Sequence, residues 1–268
     1  MSAEDREANR SHWDALAAVH GQDDYYDSEA LVAGADSLSS HESAAVGEVS
    51  GLDVLHLQCH IGFDSISLAR RGARVTGADF SPASLAKAGD LAARAGVEVE
   101  LVEADATALP PALHGRFDVV YATIGVLCWI EDLAAWMRSV NTALRPGGRL
   151  VLVEIHPLYL MVAAREPFAV DMPYAADGPR RFDDPGSYAD ATADVAATAE
   201  VVYAHSLGEI VTTAIAAGLR IDALDEHLDA DFDPRGDLLV RGEDGRYRLT
   251  VGEERMPVLF TLLATKED

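Results

Sequence analysis

Lysine is almost missing from this chain. Lys87 and Lys266 are the only two among 21 basic side chains, and the rest are arginines. Against them stand 45 acidic residues, leaving a net charge of −24. A protein that grips a phosphate backbone neutralises it with lysine and arginine, and here long-range repulsion opposes that encounter; an anionic membrane surface is disfavoured for the same reason. The expected partners therefore include no nucleic acid and no membrane. Cysteine is equally scarce. Cys59 and Cys128 are too few for a disulfide framework or a cysteine-based zinc site, and a reducing, cytoplasmic setting is expected. No run approaches the ~18 apolar residues of a membrane span. The acidic, polar stretch Met1–Arg10 also lacks the charged start and apolar core of a secretion signal.

What is present is unevenly distributed. Residues 1–50 carry a charge of −9 and residues 156–268 carry −12, whereas residues 51–155 carry only −3. Hydrophobic residues make up 49% of the 268, enough for a sizeable core in one large domain. From Leu52 onward, short β-branched runs alternate with longer Ala/Leu-rich runs, the pattern of βαβ units on a parallel sheet. Strands are predicted at about residues 52–57, 73–78, 97–102, 117–122 and 149–155, with helices between them. Ser81 followed by Pro82 starts one helix, which Gly96 stops; another runs from Glu131 to Leu144 and ends at the breaker cluster Arg145-Pro146-Gly147-Gly148.

Two segments flank this core. Residues 1–50 read as a helical cap, with Ala15, Leu16 and Val19 on one face, and a second helix at about Ser39–Val49. Residues 158–204, with Pro167, Pro173, Pro179 and Pro185, show no sustained period and read as an irregular insertion. Regularity returns over 205–268 with a helix from His205 to Gly218 and strands at about 220–226 and 256–264.

In an open α/β sheet, ligands bind at the carboxyl ends of the strands. The first such turn is His56-Leu57-Gln58-Cys59-His60-Ile61-Gly62-Phe63-Asp64. Asp79 ends the second strand, where an acid can accept both hydroxyl hydrogens of a ribose. The third strand ends in Glu103-Ala104-Asp105-Ala106, which places a second acid within reach of an adenine amino group. These three turns describe a nucleoside site.

On these turns, residues 52–155 resemble a class I S-adenosylmethionine-dependent methyltransferase. The Arg145–Gly148 turn and the closing pair of strands resemble that family too. The resemblance implies an α/β, Rossmann-like seven-stranded sheet, mostly parallel with an antiparallel last strand, spanning a core at 51–157 and completed by 205–268. It also implies S-adenosylmethionine as cofactor, with the Gln58, Cys59, His60, Gly62 and Asp64 loop at its methionine part. Asp79 would hold the ribose, Phe80 would lie beside the adenine, and Asp105 with Ala106 would hold the adenine. The chain departs from the family pattern in lacking Gly-x-Gly-x-Gly. Gln58 and His60 stand at the first two glycine positions and only Gly62 remains. A subgroup of bacterial small-molecule methyltransferases has a His-Leu-Gln-Cys-His loop of this kind, and Asn9–Trp13 and Thr123–Trp129 are also similar to it. Thr123 is thereby implied at the cofactor, and Tyr26 in a cap that closes over it.

His156, after Glu154 at the end of the fifth strand, is the candidate general base; the alternative is a hydrogen-bonded histidine that shapes the pocket. His205 and Glu209 share a helical face, but no motif supplies a third metal ligand. Asp229, Asp231 and Asp233 do not begin a calcium loop, because Pro234 stands where glycine is required and Val240 where the bidentate glutamate should be. No metal is expected. The function implied is methyl transfer to a small-molecule acceptor, at oxygen or nitrogen more than carbon, with 158–204 as lid or acceptor wall. The acidic flanks favour a neutral or cationic acceptor. A nicotinamide-dependent oxidoreductase would need Gly-x-Gly-x-x-Gly, which is absent, and a nucleoside-binding protein without turnover is the remaining alternative.

Overall fold

The computed structural model describes residues 2–22, 25–175, 178–183, 185–190, 193–233, 235 and 238–267. Three helices open the chain: α1 (Ala3–Val19), α2 (Ser28–Ala33) and α3 (Ser40–Val46). Then follow β1 (Asp53–Leu57), α4 (Phe63–Arg70), β2 (Arg74–Asp79), α5 (Pro82–Ala95), β3 (Val99–Glu103), β4 (Phe117–Thr123), α6 (Leu133–Ala143) and β5 (Leu144–Ile155). The insertion holds α7 (Pro157–Leu160) and two small hairpins, β6 (Val162–Arg165) with β7 (Phe168–Val170) and β8 (Arg180–Asp183) with β9 (Ala199–Val202). After α8 (Leu207–Ala216) and β10 (Leu219–His227) comes a meander of β11 (Val240–Arg241), β12 (Tyr247–Val251) and β13 (Glu254–Met256), and β14 (Leu259–Lys266) ends the described fold.

The main sheet has seven strands in the order β10-β14-β5-β4-β1-β2-β3. β1 to β5 pair in parallel, and β14 lies antiparallel to both β5 and β10, so the last strand alone reverses direction as expected. The strand order reverses beside β1. Its carboxyl end therefore opens into the crevice where such sheets bind ligands.

Local chemistry accounts for the elements. Ser81 Oγ accepts the Ser84 amide at 3.0 Å, Pro82 takes the first helical position, and Gly96 stops α5 at a φ of 69°. The Arg145–Gly148 cluster turns out to be a bulge inside β5: Leu144 pairs with Phe117 and Arg149 with Val119, with a register shift between them. The insertion escaped periodicity analysis because its strands are only three or four residues long.

Core packing covers both sheet faces. Trp136, Phe117 and Phe260 are fully buried in the layer beneath α6 and α8, and Val46, Leu68 and Val151 in the layer beneath α3 and α4. The cap corrects one expectation. The buried stripe of α1 is not apolar but runs Asp5, Asn9, His12, Leu16, a spacing of four, three and four residues. Asn9 makes a double bond pattern with the backbone of Val201 in β9, donating from Nδ2 to its carbonyl at 2.8 Å and accepting its amide at 2.8 Å. His12 Nδ1 hydrogen-bonds Ala197 O at 2.7 Å. Thus α1 stands between the core and the insertion.

Charge fixes α1 to α5 at both ends. Asp14 accepts the Ser81 hydroxyl at 2.6 Å and the Ala83 amide at 3.2 Å, putting an anion at the positive end of α5. Lys87 of α5 donates to Ala17 O at 2.9 Å and to His20 O, closing the carbonyl end of α1. Lys266 serves α6 likewise, donating to Asn141 O at 2.7 Å and Leu144 O at 2.8 Å. Replacing Lys87 with Met removes two hydrogen bonds to carbonyls and should cost ~1–3 kcal/mol of stability. Hydrogen-exchange protection over residues 3–19 should fall before that of β1 or β4; uniform protection would show that α1 docks without this contact.

Candidate functional site

A cavity of about 500 Å³ opens at the carboxyl ends of β1, β2 and β4, within the ~300–1,000 Å³ of small-ligand sites. Its floor is the turn between β1 and α4. Gln58 and His60 adopt φ values of 60° and 48°, the only positive values outside glycine among the described residues, and Gly62 follows at 78°. The glycine positions of the family pattern therefore keep the left-handed backbone that glycine favours, although two carry side chains.

Several bonds hold the turn in that shape. Asp79 Oδ2 accepts the His60 amide at 2.8 Å and Asp79 Oδ1 the Ser81 amide at 2.9 Å. Burial pushes the Asp79 carboxyl up to about 6, against those amide bonds. Gly77 lets β2 pass, since a Cβ there would meet Cys59 Sγ at 2.9 Å; a Cβ on Gly62 would meet Ala88 Cβ of α5 at 2.8 Å.

The two unusual side chains bind the neighbouring elements. Gln58 Nε2 donates to Val126 O at 3.1 Å, and Trp136 Nε1 donates to Gln58 Oε1 at 2.8 Å. His60 hydrogen-bonds Ser84 Oγ through Nδ1 at 3.2 Å and His20 Nδ1 through Nε2 at 2.8 Å, and His20 Nε2 continues to Ser187 Oγ at 2.9 Å. One chain of bonds thus joins α5, the turn, the end of α1 and the insertion. Burial lowers both imidazoles, His20 to about 4, and keeps them neutral. Above this chain Tyr26 and Tyr188 meet hydroxyl to hydroxyl at 2.8 Å, and Trp13 packs edge-on to His60 and Trp129.

The far wall is set by three acids. Glu154 accepts the amides of Gly125, Val126 and Leu127 at 2.5, 2.8 and 2.9 Å, which pins the segment after β4 that lines the cavity. Glu42 and Asp64 face the cavity from α3 and α4. Tyr121 Oη lies 3.0 Å from Glu42 Oε1 and 3.2 Å from Asp64 Oδ2. Thr123 Oγ1 donates to Glu42, and Ser37 Oγ to Asp64 at 2.6 Å. Burial, with Glu42 beside it, pushes the Asp64 carboxyl up to about 7.

The cavity gathers Tyr26, Gln58, Cys59, His60, Gly62, Asp64, Asp79, Phe80 and Thr123 from the sequence-based set. It does not gather Asp105, Ala106 or His156. Asp105 turns away, ion-paired with Arg6 of α1 at 2.7 Å and accepting the Thr107 amide at 2.8 Å. His156 stands outside because Nδ1 accepts the Leu158 amide at 3.1 Å, capping α7, while Nε2 hydrogen-bonds Glu226 at 2.8 Å. Both nitrogens are engaged, which corrects the expectation of a base facing the acceptor. Burial raises both thiols, so Cys59 and Cys128 are small uncharged groups. His205 bonds Ile130 O at 2.6 Å and Glu209 at 3.2 Å, and no group of three metal-ligating side chains occurs among the described residues. Pro234 of the rejected calcium loop lies outside the described residues.

Glu42 lines the cavity without having been singled out, and His56 and Trp129, which also line it, were named only as ends of quoted motifs. For Glu42 the signal was Ser39-x-x-Glu42, a capping box that the structure contains and that hides its second role.

Residues 54–148 match the family model described as a methyltransferase domain. That stretch is thus similar to a methyltransferase domain, and the solved structures it resembles use S-adenosylmethionine. Over 106 residues the chain is 40% identical to the demethylmenaquinone methyltransferase of Thermus thermophilus, covering 39% of this chain and 47% of that one. It is 34% identical over 108 residues to the ubiquinone biosynthesis O-methyltransferase of Azotobacter vinelandii, covering 40% and 46%. The chain thus spans just under half the length of these curated relatives. A solved S-adenosylmethionine-dependent methyltransferase from Mesorhizobium loti superposes with a TM-score of 0.60 at 25% identity, over 88% of this chain and all of that one. A second, from Methanosarcina mazei, shares the fold at 17% identity with a TM-score of 0.57, over 86% of this chain and 98% of that one.

The β1–α4 turn and His20 each make a prediction. Gln58→Gly relieves a left-handed side chain, worth ~1–2 kcal/mol, but leaves the Trp136 indole unpartnered, so it should be less stable than the parent; Gln58→Ala keeps the strain as well and should be the least stable of the three in urea unfolding. Equal midpoints for Gly and Ala would mean the backbone is unstrained. For His20, the unfolded chain binds a proton near pH 6.5 and the folded one only near pH 4, so stability is lost as pH falls through that window, by on the order of 3 kcal/mol. The stability gap between the parent and His20→Gln should narrow from pH 7 to pH 4; a constant gap would show ordinary titration.

Proposed function

We propose that the protein is an S-adenosylmethionine-dependent methyltransferase acting on a small neutral or cationic molecule. One observation carries this reading: the turn that keeps the glycine-type backbone at Gln58, His60 and Gly62 and the buried Asp79 share one cavity lined by five acids and no lysine or arginine among the described residues. The cofactor is itself cationic, and such a wall suits it. In this reading Asp79 accepts the ribose hydroxyls, and Phe80 packs beside the base. The first-turn amides of α4, which Gly62 leaves without a side-chain cap, meet the carboxylate of the methionine part. When bound, the cofactor supplies an activated methyl group; the protein orients the acceptor and excludes water.

The aromatic rings of Trp13, Tyr25, Trp129, Tyr188 and Phe232 bound the acceptor side and favour a compact, partly apolar acceptor over a polymer. The ubiquinone biosynthesis O-methyltransferase among the relatives supports oxygen as the accepting atom, while the acidic wall leaves nitrogen open. With His156 capping α7 and bonded to Glu226, its part is to hold the entry to the insertion in place. Absence of a positive wall also argues against an anionic acceptor.

S-adenosylhomocysteine should raise the melting midpoint, and NAD should not. Ribose hydroxyls need an ionised acceptor, and burial sets Asp79 at about 6, so affinity for S-adenosylhomocysteine should rise between pH 5 and pH 7 and then level. Asp79→Asn should lower affinity about tenfold or more and flatten that profile. A midpoint unmoved by S-adenosylhomocysteine would overturn the reading.

A further inference from the structure

α1 carries two histidines that meet the insertion, and their proton counts differ. His20 is a neutral ring, lowered to about 4 by burial and then by the nearby charges of Lys87 and His12. One N–H is enough there, because its partners, His60 Nε2 and Ser187 Oγ, can each donate or accept. His12 has no such freedom. It is 2% exposed, with Nδ1 2.7 Å from Ala197 O and Nε2 3.1 Å from Glu200 Oε1. A carbonyl only accepts, so Nδ1 must carry a hydrogen, and an ionised carboxylate only accepts, so a second proton must lie between Nε2 and Oε1. Imidazole is the stronger base, at ~6.5 against ~4.3, which puts that proton on Nε2.

The pair lies where three segments meet. Asn9 ties α1 to Val201 of β9 by two bonds at 2.8 Å, and Asp5 pairs with Arg181 of β8 at 2.5 Å. Just past β9, the Tyr203 amide donates to Cys128 O at 2.8 Å. Trp129, next to Cys128, stacks on the His12 ring with centroids 6.1 Å apart and planes at 27°, and meets Trp13 edge-on. Both indoles line the cavity. The titratable and charged groups around His12 are Glu200 of β9, Arg181 of β8, Tyr203, Cys128, and Asp5 and His20 of α1 itself. Only the proton of His12 and Glu200 can change near neutrality. Burial raises Cys128 and Tyr203, burial keeps His20 neutral, and Asp5 and Arg181 hold each other charged.

Resting on the function proposed above, we infer that His12 and Glu200 form a proton-held latch that closes the insertion against the cap and fixes Trp129 in the acceptor wall. When the proton leaves for solvent, the neutral ring has one N–H for two acceptors. Either Ala197 O or the Glu200 carboxylate is then left against a lone pair. The closed arrangement binds one proton more than the open one, so it weakens as pH rises, and the open population grows by up to about tenfold per pH unit. His12 does not line the cavity and acts through Trp129, as a positioning residue. The acceptor side of the cavity thus becomes more accessible as pH rises.

Acrylamide quenching of tryptophan fluorescence in the full chain reads the latch, because Trp136 is fully buried and any change reports Trp13 and Trp129. From pH 6 to pH 9, a range that spans the ~6.5 of an ordinary imidazole, quenching should rise about twofold or more in the parent. Glu200→Gln should stay at the parent's low-pH level throughout. Its amide donates to Nε2 of a neutral ring, which keeps the bond without the extra proton. His12→Gln keeps one donor and no titrating group, so its quenching should be independent of pH as well. A parent that shows no rise, or a Glu200→Gln variant that rises as the parent does, would overturn the latch and leave the pair a purely structural contact. Should the variants fold poorly, site-assigned ring ¹⁵N shifts of the parent give a second reading: at pH 7.5 His12 should have both nitrogens protonated and His20 only one. A neutral His12 at that pH would sink the inference. Binding of S-adenosylhomocysteine to the parent is scored separately, and its failure would strike the proposed function while the proton count at His12 still stood.

Discussion

The structure depends on a backbone shape that its residues do not favour. Between β1 and α4 the chain takes three left-handed steps, two of them on Gln58 and His60, and each non-glycine step costs ~1–2 kcal/mol. What offsets that cost is the reach of those side chains. Glycine would form the same turn and bind nothing beyond its own backbone. Gln58 instead ties the turn to Val126 and Trp136, and His60 ties it to α5 and, through His20, to the insertion. The turn at the cavity floor, α5, the end of α1 and the insertion are therefore one hydrogen-bonded unit.

That unit explains why the cap has an unusual interior. A helix docking by the hydrophobic effect alone could slide along its partner, since apolar contact has no direction. Asn9 and His12 of the buried stripe instead meet backbone groups of the insertion at fixed points, Asp5 pairs with Arg181, and Asp14 and Lys87 fix the other side of α1 against α5. Directional bonds set the register of the cap over the cavity. Glu154, bonded to three successive amides, does the same for the opposite wall.

Much of the fold was legible in the chain because its signals were local. Ser81-Pro82 and Gly96 bound α5 where they stand in the sequence, and the β-branched runs became β1 to β5 within a few residues. Asp79 and the Gln58–Asp64 turn were legible because a strand end in an open sheet is a ligand position whatever the details. The misses share another cause. Asp105 and His156 sit at the right strand ends, but distant partners, Arg6 and Glu226, turn them away from the cavity. Glu42 reads as a capping-box residue and serves as one, and only the packing of α3 against β4 and α4 reveals that its second oxygen faces a cavity. The polar stripe on α1 was invisible to hydrophobic periodicity by construction, because its partners are backbone amides and carbonyls some 190 residues away.

The two lysines bear on how the chain can be modified. Each ammonium closes the carbonyl end of a helix, Lys87 for α1 and Lys266 for α6. Acylation of either would remove the charge and leave a single N–H where two carbonyls are now served. Every side-chain amine in the protein is thus a structural fastener, and reagents or enzymes that target lysine meet a surface on which any reaction loosens a helix end: the cap in one case, the edge of α6 beside the sheet in the other.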